Sequence, residues 1–401
     1  MTQTMPWVRA IAMSVVVGAL GWAVLWLSTT PRAGWDSLVY HKYALEYAGL
    51  GPEEQDTLSW GLFVRYASPT LVTFVTDALD GEEWQFDLAP SQSRWGLQYR
   101  MRPAYPALVA AAFPVLGTKA PLAVSAFATM LFFGTAFAGM LRLAGWRVAV
   151  IATGLGFLNL YLTQWLVTLM PDGLAIALWA VTLTTGALWV RQERPIWLLA
   201  LGLAVLALCL TRPLGILAPA VFGLSAIGAV LLRARVWRAF TAATVAAAVP
   251  VAAIVVLFAA AAYPGWWDLL QDLPTLHFSL PDIEDPIGWL IAQDLHALTN
   301  VMPIGLLARP LVLALTVGGV VGLLLPRQWW TAPFLAALPV VLVSYLVHPS
   351  TTEIDRTLAP AWISLHTGLA ILIVLGAVRW RFRLLEWIDR FTRPDAEGAG
   401  P

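Results

Sequence analysis

The sequence predicts an all-α polytopic membrane protein, with about ten transmembrane helices and juxtamembrane helices in a long first outer loop. Three observations carry this. Hydrophobic residues make up 59% of the 401 and charged residues only 12%, against about 25% charged in a soluble domain. Mean hydropathy is +0.73. Apolar runs of span length recur along the whole chain, and many of the 21 Trp fall near their ends, where amphipathic rings anchor at the membrane–water interface. Formal net charge is zero, so nothing indicates a nucleic-acid partner. The single Cys209 lies in an apolar run, which leaves no disulfide framework and no cysteine metal site.

A helical span needs about 20 apolar residues, with a range of roughly 17–25. Candidate spans run over 8–28, 121–141, 148–166, 173–190, 195–210, 214–232, 239–262, 306–325, 331–347 and 358–378. No small-residue cleavage site of the usual form follows the first, so it is read as a helix rather than a signal peptide. The stretch Pro103–Leu116 is apolar but short and carries Pro103, Pro106 and Pro114. Charge decides whether it crosses. If it lies on the surface and the N-terminus is cytoplasmic, the inner loops hold Arg142 and Arg147, then Arg191 and Arg194, then Arg233, Arg235 and Arg238, then Arg327, then Arg379, Arg381 and Arg383. Each is short and basic, as the positive-inside rule requires. If it crossed, these loops would face outward. Residues 103–117 are therefore expected as an outer juxtamembrane helix. The reading is ten spans with both termini inside. Residues 1–378 form one transmembrane catalytic domain, and 379–401 a basic, then flexible cytoplasmic tail.

The outer face then collects the loop 29–120, the Asp172 turn, the Arg212 turn, a second large loop at 263–305 and the turn His348–Arg356. Few ionisable residues lie inside spans. That argues against an ion-coupled transporter, whose pathway such residues mark, and favours chemistry at the outer interface. Asp36 is the first acid of the chain. It sits where the first apolar run meets water, in a short helix at 36–48 with Tyr40, His41, Tyr43 and Ala44 behind it. We read it as the reacting carboxylate. The rest of the first loop is polar and acidic, with Glu53, Glu54, Asp56, Asp77, Asp80, Glu82, Glu83 and Asp87, and suits either a lid or a solvated loop.

Tyr99–Arg100–Met101–Arg102–Pro103–Ala104–Tyr105–Pro106 follows. An arginine fork at an interface suits a phosphate through two charge-assisted hydrogen bonds, whether the phosphate belongs to a substrate or to ordinary lipid. In Met170–Pro171–Asp172–Gly173, Pro171 breaks the incoming helix and Asp172 falls in the first turn of the next. A capping aspartate would explain it, and so would a second acid on the face that holds Asp36. Arg212, in Thr211–Arg212–Pro213, divides two long apolar runs and belongs at a membrane surface. The loop 263–305 mixes Trp266, Trp267 and His277 with several acids, a pattern that suits sugars but is expected of interfacial tryptophans as well. No cofactor is specified. Asp282, Glu284 and Asp285 offer oxygen ligands for a divalent cation without defining a site. Before the last span stand Glu353, Asp355 and Arg356, which suit either local pairing in a solvated turn or substrate binding. No Gly-rich phosphate loop, H-E-x-x-H or G-x-S-x-G is present.

Taken together, the first span followed by Asp36 with Tyr40, Tyr43 and Ala44, the Arg102–Pro103–Ala104–Tyr105–Pro106 run before an apolar stretch ending in Leu116–Gly117, the Pro171–Asp172 turn, Thr211–Arg212–Pro213 and the acid–Arg turn resemble the GT-C superfamily of membrane glycosyltransferases. That superfamily includes the protein O-mannosyltransferases and the aminoarabinose transferase of lipid A. The resemblance implies a polyprenyl-phosphate sugar donor, a glycan, lipid or protein acceptor, an outer-face site in the plasma (inner) membrane, and an inverting displacement. It makes Asp36 the general base and Asp172 a second catalytic acid. It gives Arg102, Arg212 and Arg356 to the donor phosphate, and we add Tyr40, His41, Tyr105, Glu353 and Asp355 as candidate substrate contacts from their places in the same segments. The chain departs from the pattern at Ser37, where many members carry a second acid. Rival readings are a flippase or exporter of lipid-linked glycans and a non-enzymatic cell-envelope assembly protein.

Overall fold

A computed structural model describes residues 7–80, 94–275, 280–302, 309–326, 328–347 and 354–392. The described residues form helices, with one isolated β-bridge between Arg32 and Thr168. In order these are α1 (Trp7–Ser28), α2 (Trp35–Tyr47), α3 (Pro52–Tyr66), α4 (Pro69–Asp80), α5 (Arg94–Arg100), α6 (Ala104–Leu116), α7 (Ala120–Leu143), α8 (Trp146–Leu158), α9 (Leu160–Leu166) and α10 (Pro171–Gln192). They continue as α11 (Pro195–Cys209), α12 (Ala218–Leu231), α13 (Trp237–Ala260), α14 (Trp266–Gln271), α15 (Pro286–His296), α16 (Pro310–Leu324), α17 (Ala332–Leu346), α18 (Ile354–Leu358) and α19 (Ala361–Thr392).

The chain is a multi-pass, all-helical membrane protein. Among the described residues seven helices are long and apolar enough to cross a membrane, or eight if α8 and α9 count as one broken span. Ten spans are not shown, and three of the expected runs depart from a single span-length helix. The run 148–166 breaks at Asn159, where α8 and α9 meet at 78°. Asn159 leaves helical geometry (ψ 98) and its side-chain oxygen accepts from Leu162 N at 3.3 Å, which caps α9. The runs 195–210 and 306–325 become α11 and α16, each of 15 residues. At 1.5 Å per residue that is about 22 Å, short of a hydrocarbon core of about 30 Å.

Helices α6 and α7 are joined by the short helical turn Gly117–Lys119 within one 40-residue, largely apolar stretch, but they are not one rod. Gly117 takes φ +53, ψ −135, a left-handed-side conformation open to glycine. Helix α6 then packs beside α7 and α2, with Tyr105 and Val109 buried among Tyr40, Tyr43, Val124 and Ala128.

Helix α10 is the axis of the bundle. It is apolar nearly all round, as a helix enclosed by others must be, and Pro171 through Ala177 are all buried. It packs on α7, α11, α13 and α17, and close approach is met by small residues: a Cβ on Gly186 would fall 2.2 Å from Phe222. Helices α16 and α19 are pressed together more tightly still, since a Cβ on Gly322 would lie 1.7 Å from the Gly368 carbonyl oxygen.

The acidic first loop is helical where described. Glu53 and Glu54 stand exposed in the first turn of α3, and Lys42 pairs with Asp56 at 2.5 Å to tie α3 to α2. Glu82, Glu83, Asp87, His277, Arg327, His348 and Glu353 lie outside the described residues.

Candidate functional site

The segment between α1 and α2 decides where the site forms. Ala33 N donates to Tyr66 O at 3.0 Å and Leu169 N donates to Arg32 O at 2.9 Å. The strand-like contact of Arg32 with Thr168 thereby sets the start of α2 beside the start of α10. The residues preceding the two helices touch: a Cβ on Gly34 would come 3.0 Å from Met170 Sδ. Each helix carries an acid at its second position, Asp36 in α2 and Asp172 in α10, where the N-terminal dipole favours negative charge. Ser37 accepts from Gly34 N through Oγ at 2.9 Å and closes the turn.

Arg356, on the short α18, joins the two acids. Its Nη2 donates to Asp36 Oδ2 at 2.7 Å and to Asp172 Oδ2 at 3.1 Å, and its Nε donates to Asp172 Oδ1 at 2.8 Å. Arg212 Nη2 donates to both Asp172 oxygens at 2.6 Å. Arg212 is held extended (φ −154, ψ 149) before Pro213, as a residue preceding proline prefers. Trp165 of α9 lies under the Arg356 guanidinium at 5.7 Å. Asp172 is therefore no simple helix cap: Met170 occupies that position, and the Asp172 carboxylate is shared by two arginines.

On the other side, Tyr99 donates its hydroxyl to Asp36 Oδ1 at 2.7 Å. Arg102 Nη1 donates to Tyr40 Oη at 3.0 Å and sits 5.7 Å from the Tyr99 ring centroid. Tyr40 meets Tyr99 and Tyr105 edge-on at 5.0 and 6.1 Å. This wall is itself anchored. Arg100 makes a forked pair with Glu46 at 3.0 and 3.1 Å, covers the Tyr43 ring, and Tyr43 donates to Gly96 O at 3.0 Å. Ala104 N donates to Leu210 O at 3.0 Å, which fixes Arg102 near the Arg212 turn. The structure thus brings Asp36, Asp172, Arg102, Arg212, Arg356, Tyr40 and Tyr105 to one place.

Burial by itself would raise the Asp36 carboxyl. The Arg356 and Arg212 guanidiniums, with hydrogen bonds from Arg356 and Tyr99, outweigh it and hold Asp36 below the usual carboxylate range. Burial and the charge of Asp36 push the Tyr99 phenol well up, so Tyr99 remains a donor. Among the described residues, three guanidiniums against two carboxylates leave the cluster with one positive charge, and Arg102, whose hydrogen-bond partner is the neutral Tyr40, carries it. Two buried donors in it, Tyr105 Oη and Arg212 Nε, have no hydrogen-bond partner among the described residues. Buried polar groups are satisfied in the great majority of cases, so these two read as places for a ligand's oxygens.

Other candidates fall elsewhere. His41 is buried against the Leu169 backbone with neither ring nitrogen in a well-formed hydrogen bond, and burial holds it down at about 4. Asp355, next in sequence to Arg356, turns instead to Arg309 at 3.6 Å and is half-exposed. Asp285 caps α15 by accepting from Gly288 N at 2.8 Å. Among the described residues no group of three or more His, Cys, Asp or Glu side chains converges as metal ligands would. Tyr99 and Trp165 were not singled out by sequence. Tyr99 stands three residues before Arg102 in a motif already noted, and Trp165 was hidden by the apolar run around it. No family model matches the chain, and no curated protein matches it by sequence.

Proposed function

We propose that the protein is a membrane glycosyltransferase. It moves a sugar from a polyprenyl-phosphate donor to an acceptor hydroxyl on a glycan, lipid or protein, with inversion. The observation that carries this reading is the charge of the cluster: a single uncompensated guanidinium beside two unpartnered buried donors. A sugar–phosphate–prenyl diester has one negative charge and two free phosphate oxygens, which neutralises the cluster and supplies Tyr105 Oη and Arg212 Nε with acceptors. The apolar bundle around the site gives the isoprenoid a medium.

The sugar's anomeric carbon loses its bond to the phosphate oxygen and gains one to the acceptor oxygen. The acceptor proton passes to Asp36, and the electrons of the broken bond stay on the phosphate. Asp36 then is neutral and the cluster holds two net positive charges, facing a prenyl monophosphate of charge −2. Charge stays balanced through the step, as preorganised electrostatic stabilisation requires. Paired with Arg356, Asp36 is a weak base. Phosphate drawing that guanidinium away restores its basicity when the donor is bound. Positioned proton transfer of this kind contributes about 10²–10⁴-fold.

Orientation follows the basic loops. All ten apolar segments cross, including the bent α8–α9 and the short α11 and α16, which locally thin the bilayer. Both termini are cytoplasmic and the cluster faces outward from the plasma membrane. The convergence of Asp36, Asp172, Arg212 and Arg356 supports a single face for four loops far apart in sequence. The test is transfer from lipid-linked sugars by purified protein. Asp36→Asn is expected to insert and fold but to lose transfer by at least 10²-fold. Full activity in that variant, or turnover of nucleotide sugars with lipid-linked ones ignored, would remove the reading.

A further inference from the structure

At the end of the bundle away from the acid–arginine cluster, a groove of about 700 Å³ runs between α8 and α19. Helix α19 begins beside the cluster, and its lining residue Arg381 comes 20 positions after Ala361, about 30 Å along the helix. The groove therefore opens at the opposite membrane surface. Its walls are apolar, from Ile151 of α8 and Val374 and Ala377 of α19. Its mouth carries Trp146, Arg147 and Arg381, all exposed. Among the described residues neither arginine is paired with a carboxylate, and Arg147 leans over the Trp146 ring at 5.6 Å. Among the described residues no acid lines the groove.

We propose that this groove binds an anionic diacyl phospholipid of the leaflet opposite the cluster. The phosphate lies against Arg147 and Arg381, and one acyl chain lies along the apolar wall. Charge complementarity selects the occupant. Two exposed guanidiniums at headgroup depth attract a headgroup that carries net negative charge. A zwitterionic lipid offers them no net charge, and free phosphate has nothing for the wall. A second groove of about 540 Å³ beside α13 has a similar rim, Trp237 and Arg238 with Leu198 and Val245 on its wall, but only one guanidinium. It serves as an internal control. This site is independent of the chemistry at the cluster.

The experiment is native mass spectrometry of the purified full chain, loaded with phosphatidylglycerol or with phosphatidylcholine. Wild type is expected to retain phosphatidylglycerol at least tenfold better than phosphatidylcholine. The double variant Arg147→Gln/Arg381→Gln is expected to lose that preference, Arg238→Gln to keep it, and millimolar inorganic phosphate to leave the bound lipid in place. Because the comparison of the two lipids uses wild type, it holds even if a variant folds poorly. Equal retention of the two lipids, an unchanged preference in the double variant, the same loss in Arg238→Gln, or displacement by inorganic phosphate each overturns the proposal.

Discussion

Asp172 accepts from two arginines and Asp36 from Arg356 and Tyr99, so each carboxylate holds a helix start in place as well as a charge. Arg356 is the link between them, with its side chain 8% exposed. Removing one partner of a buried charge network leaves the others desolvated and unpaired, which costs about 3–5 kcal/mol. Arg356→Gln should therefore lower stability by about that amount in a denaturation measurement, whether or not substrate is present. His41 gives a separate signature. Its folded pKa, about 4, lies below the unfolded value of about 6.5, so between those values the unfolded chain binds more protons. Stability is complete above about pH 6.5 and falls as pH drops toward 4, by up to roughly 3 kcal/mol. His41→Gln should flatten that limb in thermal melts between pH 6.5 and 4, and an unchanged slope would mean the imidazole is not held neutral. The residues of the cluster were legible because a charge at the border of a long apolar run needs a reason. The neighbours Asp355 and Arg356 were equally visible in sequence, yet only Arg356 turns to the cluster. Which face of a five-residue helix meets the bundle is a packing outcome that spacing does not encode.

Among the elements, the break between α8 and α9 is where sequence reasoning stopped short. Hydropathy runs evenly through Asn159, and a polar side chain that caps the next helix from within the bundle leaves no trace in a window average. Yet the break matters to the site, because α9 lies across the bundle and brings Trp165 beneath Arg356. Gly173 permits this. A Cβ there would fall 2.8 Å from Leu166 O and 3.1 Å from Trp165 O, contacts with backbone that cannot move aside. Gly173→Ala should cost about 1–3 kcal/mol, the range for overpacking, and weaken donor use by shifting Trp165. Gly228→Ala, where a Cβ meets nothing within 4 Å, should be nearly silent in both melting and turnover. Helix α2 was legible because its start coincides with the end of an apolar span, and α6 was legible as a helix because its apolar run is bounded by Pro103 and Gly117.

At the scale of the molecule, the bundle brings residues more than 300 positions apart into contact, as in the pair of Arg356 with Asp36. The class of protein was readable from composition, and the turns that carry Asp36, Asp172, Arg212 and Arg356 from charges at the borders of apolar runs. The number of full-length crossings was not, since helix ends in a membrane protein are set by caps and bends as much as by hydropathy. In the proposed function, three guanidiniums and two carboxylates seat one phosphodiester. The most direct measurement is a high-resolution density map of the purified protein with a polyprenyl-phosphate sugar bound. The account predicts phosphate density within hydrogen-bond reach of Arg102, Tyr105 and Arg212, with the Arg356–Asp36 pair loosened from 2.7 Å. Phosphate bound elsewhere, with every ion pair of the cluster unchanged, would contradict it.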